Sequence, residues 1–127
     1  MEDKNYNEPV DIKIIKKSIS IQKIIEMASK QFGDVIKAVV DVQQEIMAIG
    51  GELHADEEIL LVEQEKSKRE HVWGINIYPS KKGDERIEFD SMINIKPQYD
   101  NRSRGVENTE IQKKIKAIVD KLVKDET

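Results

Sequence analysis

A chain of 127 residues without cysteine, carrying 21 basic against 25 acidic side chains and a net charge of −4, excludes disulfides, thiolate metal sites and a cysteine nucleophile. That balance speaks against a general nucleic-acid or anionic-membrane surface, which needs a strong positive field. Aromatic residues are only 5%, so the core of the one domain that this length supports must be aliphatic.

In chain order, "MEDKNYNEP" lacks the basic-then-apolar pattern of a signal peptide. Residues 1–9 read as a loose tail, 10–124 as one α+β domain and 125–127 as a loose end. No apolar run approaches the ~20 residues of a membrane span, so a cytoplasmic protein with no membrane contact is expected. "VDIKIIKK", 10–17, is short, β-branched and bounded by Pro9 and Ser18, as a strand is. The period then changes: Ile21, Ile24, Ile25, Ala28 and Phe32 make one helical stripe, with Ser20 placed to cap it and Gly33 to end it. Residues 35–43 and 46–49 read as two strands joined at "QQE".

"HADEEILLVEQEKSK" holds four consecutive apolar residues that fit a strand or a helix. The acidic cluster ahead of them favours a helix over about 55–66, with Asp56 accepting from a free amide and Glu57 and Glu58 at the positive end of the dipole. Residues 70–79 alternate as a strand, Trp73, Ile75 and Ile77 inward and Val72, Gly74, Asn76 and Tyr78 outward. After the "SKKGDE" turn, "RIEFDSMINIKP" reads as a longer strand pairing with it in a hairpin. A loop leads to a final helix from Thr109, whose stripe is Ile111, Ile115, Ile118, Val119 and Leu122 and whose Thr109–Gln112 spacing suits a capping box. The order β-α-β-β-α-β, then β-α, fits a ferredoxin-like antiparallel sheet with helices on one face, extended by a hairpin strand and a C-terminal helix.

Three places could carry chemistry. In "GGELHADEE", His54 and Asp56 could supply two metal ligands or an acid–base pair, with Asp90, Asp41 or Glu45 as a third group. The plainer reading gives Asp56 the helix cap, and no H-x-x-x-H or H-E-x-x-H spacing supports a metal. Second, Asn76, Asp90 and Asn94 share the expected outer sheet face with Tyr78, Glu88 and Lys96; asparagine is a poor strand former, so this face suits hydrogen-bonded recognition. Third, "YDNRSRG" offers Asn101, Arg102, Ser103 and Arg104 to an anion, though without a glycine-rich phosphate loop. His71 falls in a charged turn, and Trp73 reads as core.

The blocks "FGDVIKAVVDVQQEIMAIGGELHADEE", "VWGINIYP" and "SMINIKPQYDNRS" together resemble a family of small uncharacterised microbial proteins, catalogued as a domain of unknown function. The likeness covers about residues 12–123. It implies one compact domain and brings no activity. It also implies arginine where this chain has Lys96 and a Gly-Ser pair near Lys66–Ser67, which puts in doubt any role needing a bidentate guanidinium at position 96.

The function expected is a non-enzymatic binding module, a homodimer meeting its ligand or partner through the open sheet face or the 97–107 loop, with no cofactor. The alternative is a small metal-assisted hydrolase. In it His54 and Asp56 would do the chemistry, Asn76 and Asn94 would orient substrate, and Arg102 would hold an anionic group.

Overall fold

The structure, a computed structural model, describes residues 11–125, so the expected tail over 1–9 and the last two residues lie outside the described residues. The elements in order are β1 (Lys13–Ile15), β2 (Ile19–Ser20), α1 (Ile21–Ser29), β3 (Ile36–Asp41), β4 (Ile46–Ile49), α2 (His54–Glu65), β5 (Val72–Ile77), β6 (Ile87–Glu88), α3 (Thr109–Leu122) and β7 (Val123–Lys124). Local chemistry sets several boundaries. Ser20 caps α1 by accepting from the Lys23 amide at 3.1 Å, and Gly33, at φ +97°, donates back to the Ala28 carbonyl at 2.7 Å. Phe32, expected on the α1 stripe, falls past the helix end and is exposed. The ambiguous segment is a helix. α3 is capped by Asn108, whose side chain accepts from the Glu110 and Ile111 amides, and not by Thr109; Gln112 turns instead to the Val106 carbonyl.

One five-stranded sheet runs in the order β1-β4-β3-β5-β6, every neighbouring pair antiparallel, while β2 and β7 make a small parallel pair. β1, β4 and β3 sit as the ferredoxin-like plan requires, but that plan places the next strand on the free side of β1. Here β5 lies against β3 instead, in register from Ile36↔Ile77 to Asp41↔Val72. The helices follow from this difference. β1 to β3 and β4 to β5 are crossovers between parallel strands, stepping the same way across the sheet from strands that run opposite ways. Keeping both right-handed puts their helices on opposite faces.

That corrects the expectation of helices on one face. Ile24, Ala28, Ile115, Ile118 and Leu122 of α1 and α3 pack with Ala38, Val40, Met47, Ile49, Trp73 and Ile75. Leu61 of α2 covers the other face with Val39, Ile46, Ala48 and Val72. The expected open sheet face is therefore roofed by α2.

The long strand over 86–97 is also corrected. Only Ile87 and Glu88 pair, with Ile77 and Asn76. The chain then leaves the ladder and runs on through short 3₁₀ turns at Met92–Asn94 and Pro97–Tyr99. Polar side chains compete with the ladder for the backbone: Ser91 Oγ accepts from the Ile93 amide at 3.3 Å. Asn94 accepts from the Gly74 amide at 2.8 Å and donates to the Gly74 carbonyl at 3.0 Å. A side-chain amide thus does at the β5 edge what a sixth strand residue would have done.

Candidate functional site

Gly74 explains how that segment comes so close. A Cβ there would lie 2.5 Å from Ser91 Cβ and Oγ and 3.2 Å from His54 Cδ2. The missing side chain lets both Ser91 and His54 approach β5 at Gly74. Lys96, next along, is buried. Its ammonium donates to the Arg69 and Val72 carbonyls and sits 4.2 Å from the Trp73 ring centroid. Burial pulls its pKa down to about 8, against the pull of Glu58.

Between the start of α2, the middle of β5 and residues 90–93 lies a cleft of about 270 Å³. Lys37, His54, Asn76, Asp90, Ser91 and Arg104 supply its polar lining, and Leu53, Ala55, Met92 and Ile93 its apolar lining. His54 is 8% exposed, and its Nε2 lies 2.8 Å from the Ile75 carbonyl oxygen. A carbonyl only accepts, so Nε2 carries the proton and Nδ1 is left with the lone pair. Nδ1 has no hydrogen-bond partner among the described residues and is not sealed off, so it opens on the cleft its ring lines. Burial holds the ring pKa below the usual histidine value; Lys37 pushes the same way, and the Ile75 carbonyl and Asp90 oppose them. Burial thus favours the neutral ring.

The other polar groups differ in freedom. Asn76 Nδ2 donates to Glu88 Oε1 at 3.0 Å and faces the Asp90 carbonyl at 3.4 Å, while its buried Oδ1 has no partner among the described residues. Arg104 is tied to Asp90 at 2.6 Å. Lys37 makes no ion pair among the described residues; its nearest aromatic contact is the Phe32 ring, 5.5 Å away. At the same wall α2 starts at His54, after Leu53 and without a side-chain cap; the Asp56 amide bonds the Leu53 carbonyl at 3.1 Å, and the His54 and Ala55 amides have no partner among the described residues.

His54, Asn76 and Asp90, three of the residues singled out from the sequence, therefore meet here. The others do not. Asp56 is exposed, lines no part of this cleft and makes no capping bond, so the cap expected of it is absent. Its neighbour Glu57 is the buried carboxyl: Oε2 accepts from the Gly51 amide at 2.7 Å, Oε1 has no partner, and burial holds its pKa well above the usual range. Asn94 belongs to the β5 edge and also bonds the Arg104 carbonyl at 2.9 Å. Asn101, 2% exposed, donates to the carbonyls of Asn94, Ser103 and Gly105 and accepts from the Glu107 amide, which makes it the knot of its loop. Arg102 and Ser103 are exposed on that loop and line no part of the cleft.

Lys37, Ser91 and Arg104 join the cleft without having been linked to it from the sequence. Arg104 carried a signal in "RSRG", whereas Lys37, inside the strand expected over 35–43, carried none. A larger depression of about 360 Å³ near Glu65 and His71 contains Asp41. That carboxylate is already taken by the Gln43 and Gln44 amides, the Gln44 side chain and Ser67. Among the described residues no three His, Asp or Glu side chains gather as a metal site, and no helix is long and apolar enough to cross a membrane.

The chain is thus an α+β sheet with helices on both faces and a small polar cleft at a strand edge beside a buried imidazole. Residues 13–122 match the model of the family described as "Protein of unknown function (DUF5674)", and the chain belongs to that family. No curated protein and no solved structure matches it.

Proposed function

We propose that this protein is a non-enzymatic binding module whose ligand enters the cleft at His54. One observation carries the reading: a neutral imidazole is held with its donor committed to Ile75 and its acceptor open to the cleft. The orientation is set before any ligand arrives, which lowers the ordering cost of binding. The unpartnered Asn76 Oδ1 lies in the same wall.

The arrangement favours binding over catalysis. Among the described residues Ser91 Oγ makes no hydrogen bond to His54, whose bonded nitrogen faces Ile75, and Oγ accepts from the Ile93 amide. A nucleophile–base pair needs the hydroxyl within reach of the basic nitrogen. The metal-assisted alternative needed His54 and Asp56 to converge, and only His54 lies at the cleft. Self-association, if it occurs, must use a surface other than the sheet face that α2 covers.

A fragment screen followed by backbone-amide and imidazole NMR tests the proposal. Bound fragments should shift His54, Asn76 and Ser91 together, with long-range couplings reporting protonated Nε2 and bare Nδ1. Fragments that bind only elsewhere, or an imidazole protonated on Nδ1, would overturn it.

A further inference from the structure

We propose that the cleft takes an N-acyl amino acid: a carboxylate with a hydrogen-bond donor on the adjacent carbon and an apolar side chain beside it. This deepens the binding reading and rests on it. Three features of the wall point to this chemistry, and each asks for a different part of one small molecule.

The first is a donor requirement. His54 is more than nine-tenths buried and its free nitrogen is an acceptor, so an anionic oxygen placed there would be repelled while an N–H would be held. The second is an anion requirement. Lys37 is the lining cation with no carboxylate of its own among the described residues, Arg104 being neutralised by Asp90. It shares the wall with the uncapped start of α2, where free amides and the helix dipole favour negative charge. The third is an apolar rim. Leu53 and Met92 are 59% and 65% exposed and line the same cleft, where an apolar side chain of a ligand would bury part of both. A plain anion would leave the imidazole acceptor and the apolar rim unused, and a plain apolar ligand would leave Lys37 unused.

An N-acyl amino acid occurs free and as the last residue of a peptide, so the test separates the two sources. Full-length protein is titrated with N-acetyl-leucine, its primary amide, its N-methyl derivative, and a tetrapeptide ending in leucine, with cleft amides read by NMR. The acid should shift His54 and Ser91 amides. Losing the carboxylate or the N–H should each weaken binding by roughly tenfold, the value of one charge-assisted or buried hydrogen bond. Lys37→Met should weaken the acid about as much while leaving the amide unchanged. His54→Gln, whose side-chain amide still donates to the Ile75 carbonyl but leaves no acceptor at the Nδ1 place, should match the N-methyl ligand. Tighter binding of the tetrapeptide assigns a peptide terminus, and equal binding the free acid; either supports the proposal.

Amide binding as tight as the acid, or acid binding indifferent to Lys37→Met, overturns the proposal while the cleft remains a binding site. Silence of the cleft to every probe, when unrelated fragments do shift it, also overturns the proposal alone. Silence to those fragments as well overturns both readings. The N-methyl ligand decides the donor question even if His54→Gln fails to fold.

Discussion

Removing the Asn94 side chain is the sharpest test of how this sheet is finished. Asn94 is fully buried and supplies one acceptor and two donor contacts, to the Gly74 amide, the Gly74 carbonyl and the Arg104 carbonyl, at 2.8, 3.0 and 2.9 Å. Asn94→Ala leaves the Gly74 amide and carbonyl unpaired beside a helix-covered sheet, while the Arg104 carbonyl keeps the Ser91 amide at 3.0 Å. Each unsatisfied buried group costs about 1–3 kcal/mol. Some water entry is expected, so a loss of about 2–4 kcal/mol follows, a large share of the ~5–15 kcal/mol that holds a domain together. The chain has one tryptophan, and Trp73, 2% exposed, sits on β5 next to Gly74, so urea unfolding followed by its fluorescence reports on the affected strand. Asn94→Asp adds a control. The carboxylate keeps the bond from Gly74 N but faces two carbonyls, so its folded pKa is raised above the unfolded value. The native state then binds more protons, and the variant should lose stability as pH rises above the ordinary aspartate range and recover it on acidification. A loss below about 1 kcal/mol in Asn94→Ala would refute the reasoning, because the β5 edge would then be satisfied by something other than this side chain.

Other outcomes follow from the same structure. Gly74→Ala should cost about 1–3 kcal/mol by forcing a Cβ onto Ser91, and Ser91→Gly in the same chain should recover part of it; additive losses in a double-mutant cycle would rule the contact out. Glu57 has its folded pKa raised above the usual value by burial, so its contribution is present at acid pH and lost as pH rises through the folded pKa. Glu57→Gln should therefore gain on the natural protein with rising pH, by at most about 1.4 kcal/mol per unit, and parallel urea midpoints across pH 4.5 to 8 would contradict this. Lys96 is the opposite case: with a folded pKa of about 8 against 10.5, the unfolded chain binds the extra proton between those values. The natural protein should gain stability relative to Lys96→Met over that window, and equal slopes in paired titrations would show the ammonium is not buried as charge.

How much of this could be read from residues alone varied with how local the cause was. α1 and its serine cap, the β3–β4 hairpin, the inward triplet Trp73, Ile75 and Ile77, and the stripe of α3 depend on periods and caps within a few residues of each other. The strand expected over 86–97 failed because alternation is a necessary sign of a strand and not a sufficient one. Ser91 and Asn94 bond backbone groups in their own turn and on β5, and these bonds outweigh the ladder. His54 and Asp56 were both candidates in "GGELHADEE", Asp56 with a helix cap as its plainer reading. Burial separated them, giving the imidazole a carbonyl partner and a cleft and leaving the carboxylate at the surface.

The sequence by itself determined the three helices, the β3–β4 hairpin, the aliphatic composition of the core and the family, because each rests on local pattern and side-chain type. Only the tertiary structure decided where β5 inserts, and with that the face α2 must cover and the residues that approach it at Gly74. Handedness acts on strand order, and strand order is a property of pairings between residues far apart in the chain. No local period records it.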